Sequence, residues 1–317
     1  MMAMDYSIEV GSWRIGALAG VSIKRSVEQL SDVATITLPC ADVNQQVGIE
    51  QKLAVGDAVR IALGYDGNLA TEFEGYLKAI KMEDSVLTLE CEDALWLWHV
   101  PVPDEQLEGV GLGELLNKVA GSVAGAGEVV CDYEYKYDRF TLSGATAYDV
   151  LRKVQEETGA DIYYADGQLH VHPPYSQVRG GRAAVYDFAA NVERSDLRYV
   201  DAADRQVCVE LTYRLPDGGQ QVLEVGDRKA PRVQKQVEVS DAASARAVAE
   251  AELARRCFSG YEGSLTSWLV PYVEPGYAVE LRDADYPQRA GTYYAISTEV
   301  NFGPQGGSRR VVLGRKM

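Results

Sequence analysis

Three observations predict a mainly β protein with a small α/β insertion. Short strands follow one another at even spacing, Asp-Gly pairs mark tight turns, and one strand pattern recurs near both ends of the chain. The expected architecture is two similar small antiparallel β-barrels, residues 1–100 and 184–317, on either side of an α/β segment at 101–183. A chain of 317 residues is long enough for two or three such domains.

The first region reads as a meander. Val33 to Leu38 is rich in strand formers and ends at Pro39. Val59, Ile61 and Leu63 alternate strictly after the turn at Gly56-Asp57. Asp66-Gly67 supplies the positive φ angles of a two-residue hairpin, and Phe73 to Ile80 and Val86 to Leu89 continue the strands.

The pattern changes after Pro101 and Pro103. Leu112, Leu115, Leu116 and Val119 form a helical stripe that Gly121 can end. Thr146 and Asp149 make a capping pair for a second helix, with Ala147, Val150, Leu151 and Val154 on one face and Gly159 at its stop. Ile162 to Val171 folds back about Asp166-Gly167, and Pro173-Pro174 with Gly180-Gly181 reads as a linker.

Strands return at Val207 to Tyr213 and Val222 to Val225. A helix at about 240–257 interrupts them, capped by Ser240 or Asp241 and closed by Arg255 and Arg256, whose charges suit its C-terminal end. The last strands repeat the first. Val55 to Ile61 aligns with Pro275 to Leu281, Gly75 to Ile80 with Gly291 to Ile296, Val86 to Leu89 with Arg310 to Leu313, and Val33 to Leu38 with Ser264 to Leu269. Two copies of one unit in a chain permit pseudo-symmetry: three chains can form a ring of six nearly equivalent positions.

Charge narrows the function. The chain carries 31 basic and 47 acidic residues, a net charge of −16. Residues 1–183 hold 14 of the basic and 28 of the acidic side chains. Such a surface repels phosphates, so specific nucleic-acid binding is not expected. No apolar run spans a bilayer, so no stable membrane insertion is expected, and the N-terminus lacks the form of a signal peptide. The expectation is a protein folded in the cytoplasm. Cys40, Cys91, Cys131, Cys208 and Cys257 are scattered without a CxxC pair and read as reduced, mostly buried thiols.

Catalytic patterns do not emerge. No nucleophile elbow, phosphate loop or HExxH is present. His170 and His172 stand two apart on one strand face but lack a third ligand at useful spacing, and His99 follows Trp96-Leu97-Trp98 as a packing residue. Glu90, Glu92 and Asp93 cluster, yet acids are so abundant that neighbours arise by composition. Tyr133, Tyr135 and Tyr137, three of the 19 tyrosines, alternate as on a sheet face; a sugar platform or partner surface is the other reading. The expectation is no enzyme, no catalytic or metal residue and no cofactor.

Several segments together resemble the baseplate or tail hub family of contractile phages and prophages, late control protein D. They are Leu30 to Pro39, Val55 to Ile61 with Leu63 to Gly67, Phe73 to Leu77, Thr141 to Leu151 with Glu157 to Ala160, Gly260 to Trp268, Pro275-Gly276, and Gly306 to Arg310. The resemblance implies two tube-forming barrels plus the insertion, assembled as a homotrimer in a virion tail baseplate. Its implied partners are a sixfold tail tube protein, a threefold spike or central-puncturing protein, and other baseplate proteins. No lysozyme-like or long spike extension follows the second barrel, so piercing or wall degradation is expected of a separate chain. DNA would pass through a central channel whose acidic lumen keeps it from adhering. Rival readings are the hub of a related contractile injection system (a bacteriocin or secretion apparatus), a carbohydrate-binding β module, and a wall hydrolase using Glu90 or Glu92.

Overall fold

A computed structural model describes residues 3–39, 52–83, 86–214, 219–237, 239, 241–287 and 290–317. The described chain forms two compact units. The first comprises residues 1–96, 179–197 and 263–314, and the second comprises 97–178, 198–262 and 315–317.

Strands are numbered along the chain. The first half of unit 1 holds β1 (Met4–Val10), β2 (Trp13–Arg14), β3 (Gly20–Ser26), β4 (Val33–Pro39), β5 (Ala58–Tyr65), β6 (Asn68–Glu83) and β7 (Val86–Glu92). The second half holds β13 (Arg179–Asp187), β14 (Arg194–Ser195), β20 (Tyr277–Arg282), β21 (Gly291–Gly303) and most of β19 (Gly260–Ser267) and β22 (Gly306–Lys316). Asp66 and Gly67 both take positive φ, +50° and +79°, giving the expected tight turn between β5 and β6.

The repeat read from sequence is present as topology. β4, β7, β6 and β5 neighbour one another in that order, and β19, β22, β21 and β20 do the same. One alignment moves. Ile36 faces Leu89, but Gly263 rather than Ser267 faces Leu313, so β19 matches β4 four residues earlier than the apolar pattern suggested. The halves also differ at their outer strands: β1 runs antiparallel to β5, whereas β13 runs parallel to β20.

The halves share one sheet. β21 gives its first residues to β20 and its last to β3, from Ser297 opposite Ser26 to Phe302 opposite Val21. Val300, Phe302 and Leu269 thereby enter the core built on Ile23, Ile36, Leu38, Ile61 and Leu89. The strand path runs open from β14 to β2 among the described residues.

A buried polar chain crosses the same junction. Arg309 of β22 and Glu72 of β6 are 1% and 2% exposed and paired at 2.6 Å. The guanidinium also donates to the carbonyls of Leu269 and Val273 at 3.1 and 3.2 Å, and lies 5.1 Å over the Tyr272 ring. The Tyr272 hydroxyl donates to Glu274, and Glu274 meets Arg25 of β3 at 2.9 Å. Arg25 then binds Asp32 at 2.8 Å. Burial acts against the Arg25 charge, but the Asp32 and Glu274 carboxylates outweigh it and hold its pKa well above the ordinary value.

Unit 2 is α/β. β8 (Glu105–Glu108) pairs with β10 (Arg139–Leu142). β9 (Val129–Cys131), β12 (Gln168–His172) and β11 (Asp161–Ala165) form a three-stranded sheet. β16 (Cys208–Arg214), β17 (Gln220–Gly226) and β18 (Arg232–Val237) form another. β15 (Arg198–Val200) pairs with the start of β19. Helix α1 (Leu112–Ala120) packs on β9, α2 (Ala147–Thr158) on β11 and β18, and α3 (Ala242–Arg256) on β16 and β17. The Thr146–Asp149 capping box forms, and Gly159 ends α2 at φ +71°. Asp241 caps α3 by accepting from the Ser244 amide at 2.8 Å; Ser240 lies outside the described residues.

The span expected for a second barrel, 184–317, is therefore divided. Residues 198–262 belong with 97–178, since α2 packs on β18 and Tyr137 bridges to Val239. The alternation of β16 and β17 looks like that of the barrel strands, and only these long-range contacts tell them apart.

Breaking the buried pair is expected to cost far more than removing both charges. Arg309→Met should lower unfolding free energy by about 3–5 kcal/mol, because Glu72 is left buried without its cation. Adding Glu72→Leu should restore part of that loss, with the remainder due to the abandoned carbonyls of Leu269 and Val273. Urea titration of the two variants measures it.

Candidate assembly surface

The side chains weighed for chemistry are occupied structurally. Glu90 pairs with Lys81 at 2.5 Å. Glu92, 1% exposed, accepts from Lys78 at 2.7 Å and from the Ser31 hydroxyl at 2.9 Å. Asp93 accepts from the amides of Asp32 and Leu95, both at 3.0 Å. The first two are thus held as cation pairs and the third as a turn cap.

His170 and His172 do share a face of β12, with ring centroids 5.7 Å apart. His170 stacks on Tyr163 at 4.9 Å, and His172 lies 2.6 Å from Asp132 through Nδ1. Among the described residues no group of three or more His, Cys, Asp or Glu side chains is placed to hold a metal ion. His99 stacks on Tyr148 at 4.2 Å.

Tyr133, Tyr135 and Tyr137 depart from the expected sheet face. Residues 132–135 lie outside any strand, and Lys136 and Tyr137 make isolated bridges. The three rings are buried and pack edge-to-face at 6.0 and 4.8 Å, ending on Phe140 at 4.8 Å. They form part of the unit 2 core and offer no platform. Cys91, Cys131, Cys208 and Cys257 are free thiols, Cys91 and Cys208 buried; Cys40 lies outside the described residues.

What unit 1 presents instead is a broad sheet face. Residues directly opposite on neighbouring strands point to the same side. Asn301, Ser22, Thr35 and Glu90 line up across β21, β3, β4 and β7, and Glu299, Lys24, Val33 and Glu92 line up beside them. Thr37 and Thr88 face each other on the same side. Hydroxyls and charges share this face, and the charges are compensated: Lys24 with Glu299, Lys81 with Glu90, Lys78 with Glu92, Arg310 with Asp196. An open cleft of about 960 Å³ lies on unit 1, lined by Ser22, Thr35, Thr37, Thr266, Trp268 and the turn at 303–306.

Among the described residues, β14 and the end of β6 are open edges of the sheet. β14 is its terminal strand and has only β19 as neighbour among the described residues. β6 pairs with β5 through Tyr76 and with β7 through Glu83, so residues 79–83 have a strand on one edge only among those described. Met82 is 57% exposed, and Val86, at the start of β7, is 38% exposed. Sequence reasoning missed these edges, because pairing across a sheet leaves no local mark.

The chain aligns over 99% of its length with a tail protein from Neisseria meningitidis, covering 96% of that chain at TM-score 0.70 and 17% identity. The fold is that of phage tail proteins. A 43 kDa tail protein of prophage MuSo2 from Shewanella oneidensis matches over 99% of this chain and 98% of its own, at TM-score 0.66 and 16% identity. The c3393 protein of E. coli, a component of the type VI secretion system, matches over 98% of this chain and 76% of its own, at TM-score 0.64 and 10% identity. No family profile and no curated protein matches the sequence.

Beside β14, Asp196 accepts the Ser264 amide and hydroxyl and faces Arg310, which together hold its carboxyl below the usual range. A depressed carboxyl contributes stability above the ordinary carboxylate pKa, about 3.9, and loses it as pH falls through the lowered value. Thermal unfolding of the wild type and Asp196→Asn should therefore differ at pH 6 and converge toward pH 3. Calorimetry at the two pH values reads the difference.

Proposed function

We propose that this protein is a structural hub subunit of a phage-like contractile tail. Three copies form a pseudo-sixfold ring that joins a hexameric tail tube to a trimeric spike and leaves a central channel. It works by assembly in the virion baseplate and catalyses nothing. The observation that carries this reading is the duplicated strand order, β4-β7-β6-β5 and β19-β22-β21-β20, fused into one sheet. A chain with two like halves contributes two like positions to a ring, so threefold symmetry can meet sixfold symmetry. The full-length likeness to tail proteins supports it.

A second reading, the hub of a related contractile injection system, is favoured by the likeness to the secretion component. Both readings share the ring; neighbouring capsid and terminase genes would distinguish a phage. In either setting the sheet face of hydroxyls and compensated charges offers a passing polymer few places to adhere.

Light scattering over a range of concentrations tests the ring. The expected species has about three times the 34.7 kDa mass of the chain, and imaging should reveal a central hole. A monomer that also fails to join purified tail tubes would sink the hub.

A further inference from the structure

One face of the three-stranded sheet in unit 2 carries chemistry that ring assembly does not require. Leu169 and Val171 of β12 are fully buried on one side of that sheet. His170 and His172 alternate with them and so point to the other side. Register supplies their neighbours there. Tyr163 and Val130 stand on either side of His170, and Asp161 stands opposite His172. Glu128 reaches Gln168 at 2.8 Å, and Asp132 reaches His172 at 2.6 Å. Three carboxylates thus border two imidazoles, and neither Lys nor Arg occurs in β9, β11 or β12. The local field favours a cation.

We propose that His170 and His172 together bind a divalent transition-metal ion of the zinc class. His172 is supported as a metal ligand is. Its Nδ1 donates to Asp132 Oδ1, and the Gln177 amide holds Asp132 Oδ2 at 3.0 Å. A carboxylate on one ring nitrogen fixes the tautomer of the neutral imidazole and leaves Nε2 as the lone-pair donor. The His170 ring is set by stacking on Tyr163, 4.9 Å away and tilted by 4°. The spacing suits a shared ion. Two imidazoles on one tetrahedral zinc, each nitrogen about 2.0–2.1 Å from the metal, have ring centroids about 5 Å apart. Here the centroids are 5.7 Å apart. Two imidazoles are fewer than the three or four side chains of a catalytic or closed structural site, so the other coordination positions belong to water or to a partner's group. The site lies wholly within unit 2 and stands apart from the hub reading.

The probe is zinc chloride added to the untagged full chain and read by titration calorimetry. Excess magnesium chloride is present to fill weak carboxylate sites on the acidic surface. One zinc per chain should bind, and it should raise the unfolding temperature, because an ion held by the folded state alone stabilises it. His170→Gln and His172→Gln should each abolish both effects, since a single imidazole remains. His99→Gln, which changes the third histidine of the chain, should keep both. Asp132→Ala should weaken zinc binding about tenfold or more, as loss of an orienting carboxylate does. Unfolding temperatures without zinc check that each variant folds. His172 is 6% exposed, so if its variant does not fold, His170→Gln at the half-buried position decides. No bound zinc, or zinc bound equally by the wild type and His170→Gln, overturns the proposal; the second result would assign the ion to the acidic surface. An Asp132→Ala affinity equal to that of the wild type also overturns it, because the site is inferred from that support.

Discussion

The Arg309–Glu72 pair is the constraint on which unit 1 depends. Two ions withdrawn from water carry a desolvation cost that only close geometry and further hydrogen bonds can offset. Here the offset comes from both halves of the chain: Glu72 from the first, and the carbonyls of Leu269 and Val273 from the second. Neither half can satisfy these groups alone. The buried guanidinium, held at once by Glu72 and by two backbone carbonyls, fixes how the halves meet. The pair therefore specifies one way of joining the halves.

The extension from Tyr272 through Glu274 and Arg25 to Asp32 makes the same point at the other end of β3. The link between Glu274 and Arg25 joins the two halves, residues far apart in sequence. Such a network contributes little net stability compared with an apolar core of equal volume. Its effect is on register. A sheet slipped by one residue would turn Val21 and Ile23 to water, and by two would separate Arg25 from Glu274.

Much of the β architecture was legible because strand alternation and turn chemistry are local. Asp66-Gly67 and Asp166-Gly167 adopt the positive φ pairs their residue types demand, and Thr146 with Asp149 closes the expected capping box. The repeat was legible in outline because turn glycines punctuate both copies. It was misplaced at β19 by four residues, since the Ser-Leu-Thr-Ser pattern there has no apolar alternation strong enough to set its phase. The assignment of 198–262 to unit 2 was hidden for a different reason. Cys208 to Arg214 alternates like any barrel strand, and its partners are fixed by α3 and β18 at long range. Tyr133 to Tyr137 misled because alternation also suits a segment buried on one side that meets its neighbours through isolated bridges. The open strand edges were invisible for the most general reason: which strand ends a sheet is a property of the whole pairing.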